Sequence, residues 1–186
     1  MKTVLVPIAK GFEEIEAVTI IDVLRRAQID VLVASIDKEP LVQGANGIVI
    51  ETDVFMENVV TDVLDMIILP GGWDGTYALA DSPIVQNMLR EMDTLGKGIA
   101  AICAAPFALN KAGVLKQNFT CYPSVEEEIR KEGYQGDSAM VVEDGNVITS
   151  RGPGTSMCFA LEIVKKLKGQ ETYDTLKAGL LATYCK

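Results

Sequence analysis

The sequence predicts a doubly wound α/β sandwich, in which a mostly parallel sheet is covered by helices on both faces. Three observations predict it. Short, nearly continuous apolar runs recur along the chain: TVLVPI at 3–8, DVLVASI at 30–36, DMIIL at 65–69 and GIAAI at 98–102. Strands buried on both faces read this way, whereas half-solvated strands alternate. Helical segments fall between these runs, the order that crossover connections impose on a parallel sheet. Finally, 186 residues that are 48% hydrophobic suffice for a sizeable core, and no repeat, linker or low-complexity tract divides them, so one domain is expected over 1–186.

The elements follow in order. After the first strand comes a turn rich in glycine and acids. Residues 14–27 then place Ile15, Val18, Ile21 and Leu24 at near-helical spacing, with Arg25 and Arg26 in the last turn, where positive charge complements the helix dipole. The strand at 30–36 follows, and the strand at 65–69 ends at Pro70-Gly71-Gly72. Ser82 stands at the N-cap of a helix opening at Pro83 and running to about residue 95. GIAAI is a strand again, and 104–111 reads as a helix. AMVVEDGNVITS at 139–150 reads as a β-hairpin about Asp144-Gly145. Residues 155–168 and 171–181 close the chain as helices. In such sheets ligands bind beyond the carboxyl ends of the strands, near a topological switch point. Three loops lie at such ends: 11–16, 70–73 and 102–106.

Composition narrows the function. A formal net charge of −9 disfavours nucleic acid and anionic membranes as partners. The longest apolar runs are strand-sized, too short to cross a bilayer, and MKTVLVPIAKGFEE reads as a first strand rather than a signal peptide. Cys103, Cys121, Cys158 and Cys185 are scattered, with no CxxC, and read as reduced thiols of a cytoplasmic protein rather than a disulfide framework or zinc site. The chain has no histidine, which removes the commonest transition-metal ligand and every mechanism that needs a Cys–His pair. No metal is expected. A bound flavin is disfavoured too, because no Ser/Thr/Gly-rich phosphate loop follows the first strand.

The stretch KGIAAICAAPFAL, 97–109, carries the chemistry. Cys103 lies where a strand turns directly into a helix, the geometry of a nucleophile elbow, and Ala100, Ala101, Ala104 and Ala105 keep the crowded backbone clear. A thiol there meets the unpaired N–H groups of a helix start, which favour the thiolate and predict a lowered pKa. A lone cysteine in an apolar stretch is otherwise a small buried hydrophobe, and Cys121, Cys158 and Cys185 read that way. GFEEIEAV adds Glu13, Glu14 and Glu16 at the first strand–helix junction. Acids in a first turn usually complement the dipole. One of the three could instead point inward and, with its pKa raised by burial, exchange a proton with the thiol; composition does not choose among them. Gly71-Gly72 is either a plain turn or a source of backbone N–H groups for an oxyanion.

Taken together, KGFEEIEAV, DMIILPGGWDG, IAAICAAP and TSRGPGTS resemble the ThiJ/PfpI superfamily, and within it most resemble the Parkinsonism-associated deglycase branch that includes the bacterial YajL-like proteins. The likeness runs in order from residue 2 to about 177. It implies a flavodoxin-like homodimer with Cys103 as the reactive cysteine, Glu16 as the protonated carboxyl hydrogen-bonded to it, and Gly71, Gly72 and Ala104 lining an oxyanion pocket. Where the branch has a histidine before a proline, this chain reads TCYP, so Tyr122 occupies that place and a Cys–Glu pair remains. Ala104 stands where PfpI-type peptidases carry histidine, which argues against a protease. The resemblance implies cofactor-independent conversion of methylglyoxal and glyoxal to hydroxy acids, and reversal of early glycation on proteins. The alternative it implies is a redox sensor or chaperone in which Cys103 oxidises to a sulfinic acid.

Overall fold

The computed structural model describes residues 1–185. Its strands are β1 (Thr3–Ile8), β2 (Asp30–Ser35), β3 (Leu41–Gln43), β4 (Val49–Glu51), β5 (Val54–Phe55), β6 (Met66–Leu69), β7 (Gly98–Ile102), β8 (Val141–Asp144) and β9 (Val147–Ser150). Its helices are α1 (Glu14–Arg26), α2 (Trp73–Asp81), α3 (Pro83–Thr94), α4 (Pro106–Ala112), α5 (Glu126–Ile129), α6 (Ser156–Lys168) and α7 (Gln170–Gly179). Seven strands form the central sheet in the order β5-β2-β1-β6-β7-β9-β8, parallel throughout except for the β8–β9 hairpin, while β3 and β4 pair separately. This is a flavodoxin-like α/β fold.

Residue alternation divides the core. Val4, Val6, Ile8, Met66 and Ile68 pack with Ile20 and Leu24 of α1 and Phe159 and Ile163 of α6 on one face. Leu5, Ile67 and Leu69 pack with Leu79 of α2, Val85 and Leu89 of α3 and Leu109 of α4 on the other. The strand side-chain period of two therefore feeds both layers from single apolar runs. The chain leaves β1 toward β2 on one side and later returns to lay β6 on the other. The β1/β6 boundary is thus the switch point, and the crevice above it is where such folds bind ligands.

Several expectations change. On α1 the buried face is Ala17, Ile20, Val23 and Leu24, whereas Ile15 and Val18 point outward. Both stripes are apolar, so spacing alone could not tell which one faced the sheet. The helix after Cys103 starts at Pro106, because residues 103–105 form the turn itself. Ser82 occupies the N-cap of α3 without a side-chain capping bond. Cys158 and Cys185 are not reduced thiols: they form a disulfide with Cα atoms 5.1 Å apart, leaving Cys103 and Cys121 free. Folding of α7 back along α6 brings the penultimate residue to the start of α6, a meeting that a separation of 27 residues conceals. Of the four thiols expected to be reduced, only Cys103 and Cys121 are free. Among the described residues, no helix is long and apolar enough to cross a membrane.

Candidate active site

Three loops meet at the switch point, those after β1, β6 and β7. The first positions its acids through the helix it opens. Successive residues of a helix point about 100° apart, so three acids in one turn face three directions. Glu13 caps α1, its Oε2 accepting the Glu16 N–H at 2.8 Å. Glu14 reaches the loop between β3 and β4, accepting from the Asn46 N–H at 2.5 Å and from Asn46 Nδ2 at 3.0 Å. These hydrogen bonds hold its carboxyl below the usual range against the opposing effect of burial. Glu16 points inward and is fully buried.

The second loop receives Glu16. The Gly71 N–H donates to Glu16 Oε2 at 2.7 Å, and the Gly71 carbonyl accepts from the Glu13 N–H at 2.9 Å, closing the two loops on each other. A Cβ at Gly71 would stand 2.6 Å from Cys103 Cβ and 2.7 Å from Glu16 Oε2, so only glycine lets the sulfur and carboxyl approach. Gly72 has φ +88°, and a Cβ there would meet the Gly11 carbonyl oxygen at 2.3 Å.

The third loop presents the sulfur. Cys103 adopts φ +64°, a left-handed conformation that costs a non-glycine residue about 1–3 kcal/mol and persists only where its surroundings enforce it. Here they do. The Cys103 N–H donates to the Ser150 carbonyl at 3.1 Å, and the Cys103 carbonyl accepts from the Tyr122 N–H at 2.9 Å. The expected elbow is present, and Tyr122 supports it through its backbone while its ring lies half-exposed against Gly152. Cys103 is 9% exposed.

The electrostatics differ from the expectation. Burial pushes the Glu16 carboxyl up to about 7, and the Gly71 amide and the Cys103 thiol only partly offset it. The thiol is not lowered by a helix start. Burial, followed by the Glu16 charge, pushes it up, and the Gly72 and Ala104 amides facing the sulfur pull the other way. Two anions cannot share so small a space. While Glu16 is protonated, however, the charge opposing a thiolate is gone and a donor takes its place. The Glu16 carboxyl and the Cys103 thiol interact side chain to side chain, while Glu16 Oε1 is buried with no hydrogen-bond partner among the described residues. The two titrations are therefore coupled, because a charge on either group disfavours a charge on the other.

Cys103, Glu16, Gly71, Gly72 and Ala104 thus converge. The Gly71 amide is already committed to Glu16, which leaves Gly72 and Ala104 as the donors facing the sulfur. Cys121 is fully buried, and its thiol, like that of Cys103, is pushed up chiefly by burial; what sets Cys103 apart is its strained elbow, its partial exposure and the Gly72 and Ala104 amides facing its sulfur. Sequence reasoning missed the structural task of Glu14 and the backbone support from Tyr122. Trp73, the last residue of the expected 70–73 loop, follows Gly72 directly and opens α2.

The model of one family, described as the DJ-1/PfpI family, matches residues 2–166. The chain belongs to this family. It is 41% identical over 184 residues to Protein dj-1beta of Drosophila melanogaster, covering 98% of each chain. It is 39% identical over 164 residues to a Caenorhabditis elegans protein named glutathione-independent glyoxalase DJR-1.2, covering 88% of this chain and 87% of that one. The crystal structure of Drosophila melanogaster DJ-1beta superposes with a TM-score of 0.93 at 42% identity, over 97% of both chains.

Proposed function

We propose that this DJ-1/PfpI protein is a cofactor-independent glyoxalase acting on methylglyoxal and glyoxal, and on their early adducts with protein side chains. The observation that carries the reading is the buried carboxyl of Glu16, which keeps its proton to about pH 7 beside a strained, amide-facing Cys103. The relative named as a glyoxalase supports it.

The chemistry follows from these groups. The Cys103 thiolate adds to the aldehyde carbon, forming an S–C bond, and the developing oxyanion meets the Gly72 and Ala104 amides. Glu16, having given its proton to that oxygen, takes the hydrogen from the former aldehyde carbon and returns it to the neighbouring carbon through an enediol. The first carbon becomes a thioester while the second becomes an alcohol, so oxidation and reduction balance within one substrate. Water then cleaves the thioester to lactate, or to glycolate from glyoxal, and restores the thiol. Purified protein should form lactate from methylglyoxal, and Cys103→Ser should fall to the buffer rate; an equally active variant would refute the reading.

The missing histidine favours a second role as redox sensor or chaperone, because no imidazole is present to speed proton transfer. A Cys103 sulfinate would find donors in the Gly72 and Ala104 amides and in protonated Glu16. Peroxide followed by mass spectrometry tests this: oxidation spread evenly over Cys103 and Cys121 argues against it. A homodimer is supported by the outward stripe of Ile15 and Val18 on α1 beside exposed Ile48 and Val49, which Glu14 ties together through the Ile48 N–H at 3.4 Å. A monomer by sedimentation at micromolar concentration would contradict it. Residence in the cytoplasm remains part of the proposal.

A further inference from the structure

Four aromatic side chains are prominently exposed among the described residues: Trp73 at 40%, Tyr77 at 45%, Tyr122 at 47% and Tyr184 at 53%. The first three stand on segments that build the active site. Trp73 directly follows Gly72, whose amide faces the Cys103 sulfur, and Tyr77 lies one helical turn further along α2. Tyr122 holds the elbow through its backbone. Phe107, in the first turn of α4, completes a row: Trp73 and Tyr77 stack at 5.3 Å and 23°, and Tyr77 meets Phe107 edge-on at 5.6 Å and 77°. The rings therefore form a continuous ledge across the starts of α2 and α4, the two helices that leave the site. Exposed apolar rings in contact with one another mark a binding surface more often than chance.

The geometry of the bound substrate says what the ledge can touch. On the inner side of Cys103 stand Gly71 and the fully buried Glu16, packed so closely that a Cβ at Gly71 would lie 2.6 Å from Cys103 Cβ and 3.1 Å from its Sγ; a carbon bonded to that sulfur, with its oxygen at the Gly72 and Ala104 amides, meets them there. The rest of the substrate must point outward, past Gly72 and Ala104, toward the rings that follow them. A methyl group is too short to cover such a row, whereas a planar ring can stack on it. We propose that Trp73, Tyr77 and Phe107 form a subsite for the aryl substituent of aromatic 2-oxoaldehydes, the phenylglyoxal class. This rests on the reading of Cys103 as the group that adds to the aldehyde. The reaction balances as before: the aldehyde carbon is oxidised to a carboxylate, the adjacent keto carbon is reduced to an alcohol, one water is consumed, and phenylglyoxal gives mandelate.

The test compares kcat/KM for phenylglyoxal with that for methylglyoxal, in the full chain and in its Trp73→Ala and Tyr77→Ala variants. Both rates come from one preparation, so a partly unfolded sample leaves their ratio intact. The phenylglyoxal-to-methylglyoxal ratio is expected to fall about three- to tenfold in Trp73→Ala, the size an aromatic pair contributes, and less in Tyr77→Ala. A ratio unchanged in both variants overturns the subsite. Should the unaltered protein turn over neither compound, the glyoxalase reading fails by itself. The ledge is then judged by alkylation of Cys103 with phenacyl chloride against chloroacetone, in which the S–C bond forms and chloride leaves. A phenacyl preference lost in Trp73→Ala supports the subsite, and one retained refutes it.

Discussion

Glu16 shows how much one residue's surroundings can change its behaviour. Burial holds its carboxyl at about 7 in the folded chain, against 4.5 for the free group. The folded state therefore keeps a proton that the unfolded chain has released. The stability linked to that proton is complete below about pH 4.5 and is lost as pH rises through about 7, a change on the order of 3 kcal/mol. Glu16→Gln cannot ionise and escapes this loss. Urea unfolding at pH 5 and pH 8 should show the variant gaining about 2.5 kcal/mol on the unaltered protein between the two conditions, since the remainder is already lost below pH 5. A constant difference would mean that Glu16 is already ionised at pH 5. The sequence alone could not single out Glu16, since Glu13, Glu14 and Glu16 all stand in one turn. The resemblance pointed to it, and the structure supplies the reason: one acid caps, one anchors a loop and one faces the sulfur.

At the scale of elements, legibility tracked burial. β1 and β7 have the bounds their apolar runs predict, because full burial leaves few alternatives; the hairpin forms where expected but turns one residue later, at Gly145-Asn146, since Asp144 pairs with Val147 in the ladder. α2 was missed, since WDGTYALAD opens with a tryptophan and a glycine at its third position and lacks a capping side chain. β3, β4 and β5, of three, three and two residues, are too short for any periodicity to register. The disulfide between α6 and the C-terminal segment was illegible for a different reason, because chain spacing does not report spatial approach. It closes a 27-residue interval, for which loop entropy gives about 3–4 kcal/mol. Cys158→Ser, or reduction, should lower the unfolding midpoint by roughly 10 °C. Calorimetry showing no shift would mean the bridge does not constrain the chain.

Across the whole molecule, the site exists because strand order reverses between β1 and β6. That reversal opens a crevice into which three loops, distant in sequence, each deliver one component: Glu16 after β1, the Gly71-Gly72 amides after β6 and Cys103 after β7. The convergence was predicted from the fold class, but the lowered thiol pKa was not found, because burial and a neighbouring acid outweigh the amides around the sulfur. The proposed function makes reactivity depend on one proton held jointly by Glu16 and Cys103. The measurement that tests this most directly is the rate of Cys103 alkylation by iodoacetamide from pH 5 to 10, followed by mass spectrometry in the unaltered protein and in Glu16→Gln. The unaltered protein should gain reactivity in a step near pH 7, where the pair loses its first proton, and that step should vanish in Glu16→Gln, leaving a single thiol titration at a different pH. Superimposable profiles, or a sulfur that stays unreactive until above pH 9 in both proteins, would contradict a shared proton.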